Sequence, residues 1–271
     1  VGKKLWSSAN DGELVKLNCY RTGKDEAQGI SDIIEKKIKS KYSLNETAIL
    51  VRAIYQTREF EERFLKVGIG YRVLGGTKFY ERAEIKDAIS YLRIIYQKFD
   101  DLALERAIGT PRKGVGESTI NQLYTFASKN KLCLEDSILK NIELNQLKPK
   151  IKASLSQFLN MIKKWRADLK TKKHYDLLKL VLDESGYSQM LKNKKDLENE
   201  NKLENLKELL RAMQDYDNLQ NFLEHVALAT SIDQEWEGAK VNLMTMHAAK
   251  GLEFDVVFLP GWEEGLFPHQ K

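Results

Sequence analysis

Two short stretches of this sequence hold residue types and spacings that could do chemistry. The first is Thr245-Met246-His247-Ala248-Ala249-Lys250-Gly251-Leu252-Glu253-Phe254, which continues an apolar, strand-like run, Val241–Met246. A polar turn at the carboxyl end of a strand is where α/β sheets bind ligands. A threonine hydroxyl and an imidazole there can donate or accept hydrogen bonds. Gly251 allows positive φ or a close backbone approach, and Glu253 offers a carboxylate to a hydroxyl. No single residue in the stretch separates such a site from an ordinary loop. The second is Thr110-Pro111-Arg112-Lys113-Gly114-Val115-Gly116-Glu117-Ser118-Thr119. Gly-hydrophobic-Gly leading into a helix leaves backbone N–H groups free at the helix N-terminus, a ready anion site, with Arg112 and Lys113 alongside. Taken alone, it is also the pattern of a simple helix-start turn, which is the commoner case.

Spacing argues against several other chemistries. Val67-Gly68-Ile69-Gly70-Tyr71-Arg72-Val73 begins like a dinucleotide-binding fingerprint but has Val73 where the third glycine belongs. No phosphate loop G-x-x-x-x-G-K-[ST] occurs, and Lys250-Gly251 reverses its order. His174, His225, His247 and His269 show no zinc spacing, and Cys19 and Cys133 read as reduced thiols of a cytosolic protein. Trp6, Trp165, Trp236 and Trp262 read as core or interface residues rather than base-stacking platforms. No apolar stretch reaches the roughly 18 residues that span a bilayer. No secretory pattern follows Lys3-Lys4. The expectation is therefore a cytoplasmic protein with no membrane partner.

The net charge is +5, from 44 Lys and Arg against 39 Asp and Glu, a small excess for a nucleic-acid binder. Distribution then matters more than the total. Lys148 to Lys179 holds ten basic residues against Asp168 and Asp176. A solvated helix face is the ordinary reading of such a run, and a DNA-facing surface is the alternative.

The elements that must position these residues alternate between two textures. Leu14–Tyr20, Ala48–Arg52 and Tyr71–Leu74 are predicted strands, with helices over Asp25–Lys39 and Thr57–Lys66 between them, as in a βαβ sheet. A helical block follows, with predicted helices at Glu84–Gln97, Leu102–Ile108, Ser118–Lys129, Leu147–Leu169, Tyr175–Leu182, Leu203–Tyr216 and Leu219–Ala229. Lys192–Lys202 is polar enough to be an exposed loop. Val241–Met246 and Val256–Leu259 then return to the strand texture. A sheet whose two parts cannot bury their faces separately must bring them together in space, with the helical block as an insertion. The expected division is 1–75, 76–237 and 238–271.

Several blocks together resemble the UvrD/PcrA/Rep helicases of superfamily 1. T-x-H-x-x-K-G-L-E-F at Thr245–Phe254 is similar to that family's fifth conserved motif. Phe258-Leu259-Pro260-Gly261-Trp262-Glu263-Glu264-Gly265-Leu266-Phe267-Pro268 resembles its F-x-x-G-x-E-E-G-x-F-P. Ala48–Arg58, Tyr71–Arg82 and Glu84–Asp87 resemble the run leading into the inserted subdomain, except that Val51 and Ile54 replace the usual Tyr and Asn. The resemblance implies an incomplete α/β RecA-like lobe of the P-loop NTPase type, interrupted by a large all-α inserted subdomain. It implies that Thr245, His247 and Arg52 lie along single-stranded DNA, and that Glu253, with Gly251, faces the ATP ribose. The Gly114–Thr119 turn is similar to the family's duplex-binding loop. By that likeness Gly114, Gly116 and Thr119, with Arg112 and Lys113, face phosphates at the single/double-strand junction.

The family's phosphate loop, its Mg²⁺-holding acid and its water-orienting residue belong to a first lobe whose motifs do not occur in this sequence. The chain also starts at Val1 rather than Met, so an internal piece of a 3′–5′ DNA helicase of repair or replication is expected. ATP and Mg²⁺ are expected in the full-length protein and none on this piece alone. The expected partners are DNA, the first lobe and repair proteins. The competing expectation is a stand-alone DNA-binding or protein-interaction module derived from a helicase.

Overall fold

Four short runs rich in apolar residues meet in one parallel sheet. They are β1 (Thr47–Val51), β2 (Tyr71–Leu74), β3 (Val241–Thr245) and β4 (Val256–Phe258), in the order β2-β3-β1-β4. In this computed structural model the described residues are 13–38, 42–194, 196–231, 238–264 and 266–267. Val51 lies opposite Thr245, Tyr71 opposite Val241, and Val256 opposite Thr47. The two-residue period sends Ile49, Val51, Tyr71, Val241 and Leu243 to one face. There they share a core with Ala27, Ile30 and Ile34 of α1 (Gly23–Ile38) and with Phe60 and Phe64 of α2 (Thr57–Val67). Gly68, at φ 70, ends α2 in the left-handed conformation.

The described residues between β2 and β3 form a separate core around α3 (Ala83–Tyr96). Along α3, Ile85, Ala88, Tyr91, Leu92 and Ile95 repeat at three- and four-residue steps and are buried. Around it lie α4 (Asp101–Gly109), α5 (Glu117–Asn130), α6 (Leu134–Glu143) and α7 (Pro149–Asp168). The block continues with α8 (His174–Glu184), α9 (Tyr187–Lys192), α10 (Leu197–Met213) and α11 (Leu219–Ser231). Tyr91 meets Phe158, Trp165 and Tyr187 edge-on, with centroids 6.3, 6.0 and 6.5 Å away. The Trp165 indole N–H donates to Glu184 at 2.8 Å, so this buried ring keeps its polar handle satisfied.

Three expectations need correction. Leu14–Tyr20 is not a strand. It lies outside any helix or strand, with Leu14, Val15 and Leu17 at 89, 99 and 88% exposure, and pairs with none of the four described strands. β-Propensity without a neighbouring ladder leaves backbone groups to water. Lys192–Lys202 is not one loop, since Lys192 ends α9 and Asp196 accepts from the Asn199 N–H at 2.8 Å and starts α10 at Leu197. α6 and α9 were not expected, although Leu134, Ile138 and Ile142 form a helical stripe in the former. Trp6, Trp236, Gly265, Pro268 and His269 lie outside the described residues. Trp165 is a core residue, whereas Trp262 is 60% exposed against Phe267. Among the described residues no helix is long and apolar enough to cross a membrane.

Buried charges join the two cores. The Arg58 side chain, on α2, is 2% exposed and donates to Glu62 at 3.0 Å, to Glu208 of α10 at 3.2 Å, and to Glu59. Burial works against its charge, and the carboxylates of Glu62, Glu59 and Glu208 more than offset this, holding its pKa above the usual arginine value. Arg82, just before α3, donates to Asn205 at 2.7 Å, to Thr57 at 2.8 Å and to Glu61 at 3.3 Å. Removing one member of a buried ion cluster strands the others, so Arg58→Ala is expected to cost about 3–5 kcal/mol of unfolding free energy. Urea unfolding measures this, and a loss of less than about 1 kcal/mol, typical of exposed pairs, would refute the account.

Candidate nucleic-acid and nucleotide contact surfaces

Parallel strands in register bring their carboxyl ends to one edge. Arg52 follows β1, Gly75 follows β2, and Met246-His247 follow β3, all leaving the sheet on that side. The Met246 N–H donates to the Val51 carbonyl at 3.0 Å, which ties the start of the turn to the end of β1. The turn then closes on itself through Ala249 N to Thr245 O at 3.1 Å and Leu252 N to Ala249 O at 3.0 Å. Thr245 is half-buried, and its hydroxyl accepts from the Ala248 N–H at 3.3 Å, so it shapes the turn as well as facing the edge. A Cβ on Gly75, at φ 75, would stand 3.2 Å from the Ala248 Cβ, so the β2 and β3 turns abut. Arg52 is half-buried and His247 exposed.

Gly251 and Glu253 sit elsewhere. The chain leaves the carboxyl edge after Thr245 and re-enters the sheet at Val256, level with Thr47 at the opposite end of β1. Both residues lie on this return path. Gly251, at φ 86, is exposed with open space around its Cβ position, and the Glu253 carboxylate is exposed two residues on. The positive φ is what requires glycine there. The sequence pattern joined four residues into one motif, and the topology splits them between the edge and the path back.

Past β4, the Gly261 N–H donates to Glu26 of α1 at 3.1 Å. A Cβ on Gly261 would collide with the Gln56 side-chain amide, and Gln56 itself accepts from the Ala53 N–H at 2.8 Å. Burial pushes the Glu26 carboxyl above its usual value, partly countered by this Gly261 hydrogen bond. Sequence reasoning missed Glu26 and Gln56, because the contact that involves them is with Gly261, 235 positions from Glu26.

The second surface is in the helical block. α4 ends at Gly109, Gly114 takes φ 74, and Gly116 at φ −88 is the N-cap of α5. The Thr119 and Ile120 N–H groups return to the Gly116 carbonyl at 3.0 and 3.1 Å. The N–H groups ahead of them, in the first turn, have no intrahelical acceptor by the geometry of any helix start. A Cβ would meet nothing within 4 Å at Gly114 or Gly116. Arg112 is exposed and Thr119 half-buried, but Lys113 turns inward. Its amine donates to the Ala107 and Pro111 carbonyls at 2.7 and 3.1 Å and to the Tyr91 hydroxyl at 3.2 Å. Within the basic run Lys148–Lys179, Arg166 is spent on Glu135, through two contacts of 2.7 Å, and Lys164 pairs with Glu184. Lys163, Lys170, Lys172 and Lys173 are exposed.

Burial pushes the Lys113 ammonium down to about 8 from the ordinary lysine value of 10.5. Between those two pH values the unfolded chain holds a proton at this residue that the native chain has released. Stability therefore rises with pH across the window, and the cost of the buried ammonium is fully present below about pH 8. Denaturant unfolding on both sides of pH 8 should show the native protein gaining stability relative to Lys113→Met as pH rises. A constant difference would contradict the burial.

The chain matches the UvrD-like helicase C-terminal domain model over residues 1–271. It is 38% identical over 273 residues to a probable DNA helicase II homolog of Rickettsia felis, covering 100% of this chain and 42% of that protein. It is 39% identical to the DNA helicase II of Rickettsia typhi, covering 99% of this chain and 41% of that one. With the ATP-dependent DNA helicase PcrA of Staphylococcus epidermidis it shares 37% identity, over 98% of this chain and 38% of that protein. The chain thus spans about two fifths of the length of these curated relatives. With its parallel sheet interrupted by helices and its match over the full length, the chain belongs to the UvrD-like helicase C-terminal domain family.

Proposed function

We propose that this chain is the second-lobe part of an ATP-driven DNA helicase that moves 3′→5′ in repair or replication in the cytoplasm. The division 1–75, 76–237 and 238–271 separates the lobe from its insertion, and the two distinct hydrophobic cores support it. The single observation that carries the reading is the carboxyl edge of the parallel sheet, where Arg52, Thr245 and His247 leave β1 and β3 side by side. This edge would follow the single strand. The exposed turn from Gly114 to Thr119 would meet duplex phosphates through Gly114, Gly116 and Thr119, with Arg112 alongside, fixing position without reading sequence.

The return path from β3 to β4 fits a nucleotide sugar. Gly251 leaves room for close approach, and the exposed Glu253 carboxylate can accept from ribose hydroxyls. ATP, when bound, supplies the free energy of phosphoryl transfer. Among the described residues no group of three or more His, Cys, Asp or Glu could hold a metal ion. What this chain does is mechanical. It presents a carboxylate to the nucleotide side and a hydroxyl and an imidazole to the strand side, eight residues apart or fewer along one backbone. The first lobe and repair proteins are the further partners of the whole protein.

Gly116→Leu in the full-length protein tests the duplex contact, because the fold leaves open space at that Cβ. Affinity for a duplex with a 3′ single-stranded tail should fall about tenfold or more, the loss of one or two charge-assisted hydrogen bonds. ATPase stimulated by single strands should stay unchanged. Duplex affinity equal to wild type would remove the turn from the interface.

A further inference from the structure

Arg112 and Lys113 are adjacent cations beside the turn proposed above as the duplex contact, and the structure gives them opposite environments. The Lys113 ammonium has three N–H donors, and each has an acceptor within the protein: the Ala107 carbonyl, the Pro111 carbonyl and the Tyr91 hydroxyl. It also lies 4.3 Å from the Phe158 ring centroid of α7. Ala107 sits in the last turn of α4, where carbonyls lack intrahelical partners and the helix dipole favours a cation. The surrounding backbone is tied inward as well. The Tyr91 hydroxyl donates to the Thr110 carbonyl at 2.8 Å, and the Ser154 hydroxyl of α7 donates to the Lys113 carbonyl at 2.8 Å. In the turn that follows, Gly114, Gly116, Glu117 and Ser118 are exposed, while Val115 packs partly buried against the helical core.

We propose that Lys113 is a positioning residue for duplex binding: its ammonium clamps the end of α4 beneath the Gly114–Gly116 turn, while Arg112 and the α5 amides meet the phosphates. This rests on the reading of that turn as the duplex contact. The lowered pKa of the buried amine agrees with an inward, desolvated role. A lysine that reached a phosphate would have to give up all three acceptors and swing out through the turn it supports.

The test uses the full-length protein and a duplex with a 3′ single-stranded tail, titrated across a salt series, with thermal unfolding to verify folding of each variant. Lys113→Met keeps the aliphatic stem and removes the donors. Its affinity should fall roughly tenfold, as expected for lost charged hydrogen bonds, with the slope of log affinity against log salt unchanged. Lys113→Arg, which restores a cation, should recover part of the loss. Arg112→Ala should flatten the slope by about 0.9, the signature of one phosphate contact. A flattening of that size in Lys113→Met would overturn the proposal, because Lys113 would itself be touching phosphate. Full affinity in Lys113→Met alongside a loss in Gly116→Leu would also overturn it, while leaving the turn as the contact. Full affinity in both would remove the turn itself from the interface. If Lys113→Met does not fold, Ser154→Ala carries the test, since it loosens the same turn without touching a charge. It should lose affinity at constant slope, and full affinity there would then overturn the proposal.

Discussion

Arg58 and Arg82 leave water at the seam between the sheet and the helices, and each finds acceptors on both sides of it. Arg58 spans from Glu62 on α2 to Glu208 on α10, and Arg82 from Glu61 on α2 to Asn205 on α10. Asn205 in turn donates to Glu84 at 2.5 Å, and the Phe79 N–H donates to Glu61 at 2.8 Å. Apolar contact alone tolerates sliding, because a methyl group is indifferent to which other methyl it meets. A guanidinium among fixed carboxylates is not, since a shift of an ångström or two leaves donors unpaired in a dry place. Such a cluster adds little net stability over a hydrophobic seam, but it selects one orientation. The separation of the sheet's carboxyl edge from the Gly114–Gly116 turn depends on that selection.

Most elements were legible because their signal is local. β1, β2 and β3 and the helices carrying Ile85, Leu92, Phe158 or Phe222 show periods of two or of three and four, which local sequence displays. Leu14–Tyr20 displays the same signal and is no strand, since a strand exists only beside a partner. The site divides in the same way. Gly114 and Gly251 were readable as backbone positions with special requirements, and both have positive φ. Whether Lys113 points in or out, and which end of the sheet Glu253 occupies, depends on Tyr91, Phe158 and the pairing of β4 with β1. Those residues are far away in the chain, so no window around the motif contains the answer. The seam was invisible for the same reason, as Arg58 and Glu208 are 150 positions apart.

Charge is used in two distinct ways here. Within the seam and around Arg166, cations are consumed by specific acids and have geometric meaning. On the far side of α7 and in the following turn, Lys163, Lys170, Lys172 and Lys173 remain exposed, and such lysines act through a diffuse field screened within about 8–10 Å. A net charge near neutrality is therefore compatible with a phosphate-contacting role, because the contacts proposed above rely on backbone amides and one arginine rather than on a large potential.

β3 lies between β1 and β2, yet it is made some 170 residues after β2. During synthesis β1 and β2 emerge first and have nothing between them to pair with. The helical block, whose contacts are mostly between neighbouring elements, can close before Val241 leaves the ribosome. The sheet must then be completed by a late strand threading between two that have been waiting. The order of events is thus set by the position of one five-residue segment in the gene. An interruption of synthesis just after the helical block would leave a folded insertion attached to two unpaired strands, the kind of surface that chaperones retain and other chains invade.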